Sequence, residues 1–132
     1  MAIAYTRFDG KSVSKRWATV LRQARKEGVR FTLTSGHRTM REQWALYKKN
    51  MIRPGVPKPG RPLTAVPSPT APHIRVGNPA HALDVNALDG GEARLQRWLE
   101  QKGTHPTNPV RGEAWHLELS RADLTKLWRR YR

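Results

Sequence analysis

Four polar residues in the second half of the chain could together support hydrolytic chemistry. Asp84 and His116 each lie on the polar side of a segment in which apolar residues alternate, and His73 ends a proline-rich stretch. Glu113 precedes the second segment by a short turn. Hydrolytic zinc needs two or three histidine or carboxylate ligands that leave a position for water, and a further carboxylate that accepts a proton from that water. The spacing alone leaves open that these residues are ordinary polar surface groups.

The segments that carry these residues are predicted to be strands. Residues 82–88 and 115–119 alternate apolar and polar side chains, which places Asp84 and His116 on the polar faces. Residues 29–34 alternate in the same way and predict one more strand, which ends at a Ser-Gly pair. Because Glu113 and His116 have opposite strand parity, Glu113 must project from the preceding turn.

Four segments have the spacing of amphipathic helices. They are residues 13–27, residues 40–50 after a capping box at Thr39, a segment opened by a cap at 89–92 and closed by Gly103, and a last segment capped by Ser120 and Asp123. In the second helix, Met40, Trp44 and Tyr47 form the expected apolar stripe. Tryptophans at helical spacing are expected to be core residues.

Residues 51–72 contain seven prolines and two glycines, a density that excludes a helix or a central strand. A long loop inside a small domain is usually functional, so we expect an ordered active-site loop here. The order of elements predicts one α+β domain over residues 1–132, with a small antiparallel sheet flanked by helices.

Composition limits the possible partners. The 132 residues include 25 basic and 10 acidic residues, for a formal charge of +15, and no cysteine. Disulfides, iron–sulfur clusters and thiol nucleophiles are therefore excluded, and no apolar run is long enough to span a membrane.

The charge predicts attraction to polyanions, either nucleic acid or anionic cell wall. No common nucleic-acid motif is present, so specific nucleic-acid binding is not expected. Basic residues form two clusters, Lys15, Arg16, Arg22, Arg25 and Lys26, and Lys126, Arg129, Arg130 and Arg132.

Three motifs occur in order between residues 35 and 116. They are Ser35-Gly36-His37-Arg38-Thr39, a segment from His73 to His81-Ala82-Leu83-Asp84, and Glu113-Ala114-Trp115-His116. Together they resemble the motifs of the zinc D-Ala-D-Ala carboxypeptidase and L-alanyl-D-glutamate endopeptidase family, the VanY/VanX-like group, which includes phage endolysins.

The resemblance implies a role for each matching residue. His73, Asp84 and His116 would bind zinc, and Glu113 would be the general base. Arg38 would bind substrate or stabilise the oxyanion, and its neighbour His37 is either a wall residue that contacts substrate or a surface residue.

The spacing of the first zinc ligand departs from the family pattern. His73 precedes Asp84 by 11 positions, which is longer than usual in the family. His81 is the alternative ligand, although it shares strand parity with the core residues Leu83 and Val85 and would need a local turn.

The resemblance also implies a hedgehog/DD-peptidase-like fold and hydrolysis of a peptide bond in a peptidoglycan stem peptide or cross-link. We expect a monomeric phage-lysin domain, made in the cytoplasm without a signal peptide and released to the wall with the help of a holin. Its basic surface would hold it on the anionic wall. The alternatives are a non-catalytic basic wall-binding domain and a nucleic-acid-binding domain.

Overall fold

The structure, a computed structural model, describes residues 4–68 and 82–132. Its helices and antiparallel strands confirm the expected α+β class. In chain order the elements are β1 (Tyr5–Phe8), β2 (Lys11–Ser14), α1 (Lys15–Lys26), β3 (Leu33–Ser35), α2 (Met40–Asn50), β4 (Met51–Arg53), β5 (Val56–Pro57), β6 (Ala82–Val85), α3 (Gly91–Gln101), β7 (His116–Glu118) and α4 (Arg121–Tyr131).

The described part of the chain contains a three-stranded antiparallel sheet in the order β3-β6-β7. β6 is the central strand, and its Asp84 pairs with Ser35 on one side and with His116 on the other. β3 is shorter than the strand predicted over residues 29–34. Side chains bind the backbone just before it: Arg25 donates to the Phe31 carbonyl and Asn86 accepts from the Thr32 amide.

The N-terminal hairpin of β1 and β2 was not predicted. Its two-residue turn is Asp9-Gly10, and both residues have positive φ, 51° and 74°. Asp-Gly is a strong signal for such a turn because both positions require a left-handed backbone. The hairpin shortens the first helix, which begins at Lys15 after Ser14 accepts a hydrogen bond from the Trp17 amide.

A second hairpin lies inside the proline-rich segment, where no helix or central strand was expected. β4 and β5 pair across a Pro54-Gly55 turn, in which Gly55 has a φ of 78°. Pro57 is tolerated because this ribbon has free edges and is not the middle of a sheet.

The hydrophobic core lies between the sheet and helices α1, α3 and α4. Its largest fully buried side chains include Trp17, Leu21, Leu33, Leu83, Leu95, Leu99, Leu117, Leu124 and Leu127. Burial of one such leucine removes enough apolar surface to stabilise the fold by about 1.5–3 kcal/mol. Within residues 4–68 and 82–132, no helix has the length and apolar character needed to cross a bilayer.

Helix α2 differs from its predicted packing. Its capping box is present, with Thr39 and Glu42 bonded reciprocally. The residues that it buries, however, are Gln43 and Asn50, while Trp44 is 42% exposed and meets the Tyr47 ring edge-on. Polar partners elsewhere in the fold, described below, draw Gln43 inward. The expectation that Trp44 is a core residue was wrong.

Candidate metal centre

Asp84 and His116 face each other across the sheet because β6 and β7 pair in that register. His116 Nδ1 lies 3.5 Å from Asp84 Oδ1, and both side chains are largely buried. The core neighbours Leu83 and Leu117 occupy the opposite face of the same strands and are buried in the core. The apolar alternation therefore positions the two polar residues.

Glu113 approaches this pair from the loop before β7, as strand parity required. Its carbonyl accepts hydrogen bonds from Asn108 Nδ2 at 2.6 Å and from the His116 amide at 3.1 Å, so the turn is fixed at its entry to the strand. One ligand atom from each of Asp84, Glu113 and His116 lies within 4.8 Å of the others. Two carboxylates and an imidazole at this separation are a donor set suited to zinc.

Glu118 completes the site and was not singled out from the sequence. It lies two residues after His116 on the same face of β7, and its Oε2 is 2.7 Å from His116 Nε2. When Nε2 carries a proton, Glu118 accepts it in a hydrogen bond, and Nδ1 is the ring nitrogen that faces Asp84. The signal in the sequence was the position of Glu118, on the polar face shared with the histidine.

The pair of His116 Nδ1 and Asp84 Oδ1 favours a positive charge between them. A protonated imidazole places a hydrogen on Nδ1 that faces Asp84 Oδ1, and a bound cation could take the place of that proton. Burial by itself would lower the pKa of His116, but the hydrogen bonds with Asp84 and Glu118 outweigh it, and the pKa is raised. The described residues therefore fit a divalent cation as well as they fit the protonated histidine.

Arg38 binds the other oxygen of Asp84. Its Nη2 lies 3.5 Å from Asp84 Oδ2 and donates to Ser35 Oγ at 3.1 Å, while Nη1 donates to Gln43 Oε1 at 3.0 Å. Gln43 in turn donates from Nε2 to the Ala65 carbonyl at 3.0 Å. The guanidinium is thereby held at the entrance of the site by α2 and by the proline-rich segment.

Gly36 permits this placement of Arg38. A side chain at Gly36 would collide with the Ser12 carbonyl and Val13 of β2, because the backbone passes close to that strand. The neighbouring His37 amide donates to the Ser12 carbonyl at 2.7 Å. Gly36, in the Ser-Gly pair that ends the predicted strand, therefore allows its backbone to pass close to the backbone of β2.

These groups open into a cavity of about 410 Å³. Among the described residues that line it, the ionisable ones are Arg38, Asp84, Glu113, His116 and Glu118, so three carboxylates meet one guanidinium. In a chain with a net charge of +15, this cavity is a local concentration of acidic side chains. It is therefore suited to a cation and not to a polyanion.

One wall of the cavity is apolar. It includes Leu63, Val66 and Trp115, which are 71%, 45% and 42% exposed. Large apolar side chains left in contact with solvent beside polar groups are a common feature of ligand sites. Residues 62–66 of the proline-rich segment thus contribute to this wall.

The remaining site candidates lie elsewhere. His37 lines a neighbouring cavity, and its ring stacks on Tyr5 with centroids 4.0 Å apart. Arg38 lines both cavities, so His37 is next to the metal centre without being part of its lining. The expected ligand His73 and its alternative His81 both lie outside the described residues, and either assignment stays a prediction.

Comparisons with known proteins gave structural matches alone. No protein-family model and no curated protein matches the chain. The chain is similar to VanYB in complex with D-alanine-D-alanine, with 18% identity over 98% of this chain and 84% of that one and a TM-score of 0.49. It is also similar to a mutant of the vancomycin-resistance D,D-pentapeptidase VanY in complex with Zn(II), with 17% identity over 97% and 85% and a TM-score of 0.48. At this identity and TM-score, the similarity concerns overall architecture and assigns no activity.

Proposed function

We propose that the chain is a zinc-dependent peptidase that hydrolyses a peptide bond in the stem peptide or cross-link of bacterial peptidoglycan. The observation that carries this proposal is the convergence of Asp84, Glu113 and His116 in one acidic cavity beside an apolar wall. The motif resemblance supplies the substrate class.

Asp84 and His116 are the ligands that the described residues offer, with His73 or its alternative His81 as the third. Bound zinc would supply Lewis acidity towards a carbonyl group and would acidify a water molecule. Glu113 accepts the proton of the attacking water while the water oxygen bonds to the carbonyl carbon. It then returns the proton to the amine as the carbon–nitrogen bond breaks.

Arg38 has two tasks in this mechanism. Through its contact with Asp84 it fixes the orientation of a metal ligand. Its guanidinium also lines the cavity, where it can stabilise negative charge that develops on the substrate oxygen or bind a substrate carboxylate. His37, in the adjoining cavity, would contact a more distant part of the stem peptide.

The apolar wall suits the small side chains of a stem peptide. Leu63, Val66 and Trp115 present alkyl and aromatic surface at the cavity, where alanine methyl groups could pack. The cavity volume of about 410 Å³ admits a few residues of a peptide and excludes a folded protein segment.

The biological setting of the proposal depends on the motif resemblance. We place the activity in a phage lysin that acts on the wall as a monomer after its release from the cytoplasm. Lysis of cells by the purified protein from outside, and its dependence on a holin when it is expressed inside them, would test this setting.

The experiment that tests the activity uses soluble substrates. The purified, zinc-supplemented chain is incubated with defined muropeptides that contain L-Ala–D-Glu, D-Ala–D-Ala or cross-bridge bonds, and the products are identified by mass spectrometry. We expect cleavage of one bond type, its loss with a chelator and its recovery with zinc. A folded, zinc-loaded protein that leaves every muropeptide intact would overturn the proposal and favour the non-catalytic wall-binding alternative.

A further inference from the structure

Helices α1 and α4 form a second charged surface. They pack against each other, although they lie at opposite ends of the chain. A shallow groove of about 780 Å³ lies where they meet. Its described lining, which we call the basic groove, consists of Arg16, Arg121, Ala122, Thr125, Lys126 and Arg129. The fold therefore joins two basic clusters that are distant in sequence, and no acidic side chain is among these lining residues.

Contacts between the helices fix the position of the Arg16 cation. Arg16 Nη1 donates to Thr125 Oγ1 at 2.8 Å, and its guanidinium lies 4.7 Å from the centroid of the Trp128 ring. Lys126 Nζ donates to the Gly103 carbonyl at 3.3 Å. The groove thus presents several cations on one surface, and an anion bound there would be attracted by all of them.

We propose that the basic groove binds the phosphodiester backbone of a wall teichoic acid, and this proposal rests on the proposed function at the cell wall. Guanidinium and ammonium groups are the usual partners of phosphate oxygens. Four cations along one groove match a linear polymer that carries a phosphate on every repeat. A single small anion would use only part of the lining.

The described lining of the basic groove suits phosphate groups better than bases. Among its described lining residues there is no amide side chain and no aromatic ring. The nearby Trp128 already has two cations over its ring, Arg16 at 4.7 Å and Arg132 at 4.8 Å from the centroid. Base stacking contributes much of the affinity for single-stranded nucleic acid, and the described lining residues offer no aromatic ring for it.

The basic groove and the metal centre can be occupied at the same time, because the two linings share no residue. A polymer bound between α1 and α4 would keep the enzyme at the wall while the acidic cavity binds successive stem peptides. The gain is an increased local concentration of substrate, not a change in the chemistry of cleavage.

The test compares two charge-reversal variants with the same net charge. Lys126→Glu/Arg129→Glu alters the groove, and the control Lys48→Glu/Arg97→Glu alters exposed positions on α2 and α3. Binding is measured with soluble poly(glycerol phosphate), with walls that carry or lack teichoic acid, and with a DNA duplex of equal phosphate count.

Because contacts with phosphate are lost, we expect the groove variant to lose about tenfold or more in affinity for the polymer at 0.1 M salt. Its plot of log affinity against log salt should flatten by at least about one unit. The control should lose less than about threefold.

Each other outcome overturns the proposal. Equal losses in both variants would mean that only net charge matters, and no loss in the groove variant would mean that the polymer binds elsewhere. Tighter binding of DNA than of the polymer, with the same sensitivity to the groove variant, would make the groove a nucleic-acid site. If the reversal unfolds α4, Lys126→Gln/Arg129→Gln repeats the test without adding acidic groups. Cleavage of soluble muropeptides requires no polymer, so failure of the proposed function would be seen separately.

Discussion

The acidic cavity and the basic groove show two different uses of charge in one chain of 132 residues. In the cavity, His116 lies close to Asp84, Glu113 and Glu118, Arg38 contacts Asp84, and the side chains of Asp84, His116 and Glu118 are largely shielded from water. In the groove, four cations line an open surface, and none of the six described lining residues is acidic. The net charge of +15 is consistent with the basic groove but does not indicate that the chain also forms an acidic cavity.

The difference predicts how each region responds to substitution. Opposite charges in a shielded site interact strongly, and their effect depends on exact atom positions. Exposed like charges act through a field that salt screens over about 10 Å, so that individual geometry matters little. Substitutions in the cavity should therefore have large effects, and conservative substitutions in the groove should have small ones.

The largest effect is expected for Glu113→Gln. Loss of the general base should lower the rate of muropeptide cleavage by about 10²–10⁴-fold, because the amide cannot accept a proton from water. The zinc content should stay unchanged, since Asp84 and His116 are intact. Steady-state kinetics and elemental analysis check the two parts, with the exposed Glu100→Gln as control. If the variant loses its zinc, Glu113 is a metal ligand and not the base.

The same conservative substitution in both regions tests the comparison directly. Arg38→Lys removes the fork that reaches Ser35, Gln43 and Asp84, and the cleavage rate should fall by about 10²–10³-fold. Arg16→Lys keeps the charge of the groove, so the affinity for poly(glycerol phosphate) should stay within about twofold. Similar relative losses in the two variants would show that the groove also depends on exact geometry.

A smaller effect is expected for Glu118, which positions His116. Glu118→Ala should weaken zinc binding by about 10–100-fold, because the imidazole loses the partner that fixes its tautomer. Glu118→Gln retains an acceptor oxygen and should lose less. Competition with a chromophoric chelator measures both affinities. Equal losses in the two variants would argue that Glu118 supplies charge and not orientation.

The smallest effect is expected for Glu27, an exposed acid that forms an ion pair with Lys102. Hydrogen bonds from Lys102, Gln23 and Trp98 lower the pKa of Glu27 to about 2 from 4.5. Because the folded-state pKa is depressed, this stabilisation is complete above about pH 4.5 and is lost as the pH falls towards 2. Glu27→Gln should reduce stability at neutral pH by about 0.2–1 kcal/mol and should flatten the acid side of the profile. Urea unfolding between pH 3 and pH 7 measures this, and an unchanged acid slope would contradict it.

Local sequence patterns were sufficient to predict the positions of those site residues that lie in strands with alternating apolar and polar side chains. The alternation around Asp84 and His116 placed both on polar faces, and parity placed Glu113 in the turn, as the structure has them. Glu118 shares that face but was not distinguished, because nothing local indicates which of two polar neighbours contacts the histidine. The Asp9-Gly10 pair is itself a local signal for a hairpin, but the helical spacing that predicted a helix over residues 13–27 drew attention away from it.

Contacts between distant segments account for the remaining differences. The apolar spacing in α2 predicted a buried Trp44, yet the fold buries Gln43 because Arg38 and the Ala65 carbonyl are its partners. Those partners lie outside α2, so they produce no periodic pattern in the sequence of that helix. Arg16 and Thr125 are 109 positions apart, so a local sequence pattern does not predict the hydrogen bond between them either.

The hydrogen-bond chain from Ala65 through Gln43 and Arg38 to Asp84 has a consequence for the evolution of specificity. The anchor in the proline-rich segment is a backbone carbonyl, so the side chains around it can change without disturbing Asp84. A shift of the main chain at Ala65, in contrast, would be transmitted to Asp84. Under the proposed function, point substitutions along this segment could therefore alter substrate preference, whereas insertions next to Ala65 would displace Asp84 and impair catalysis.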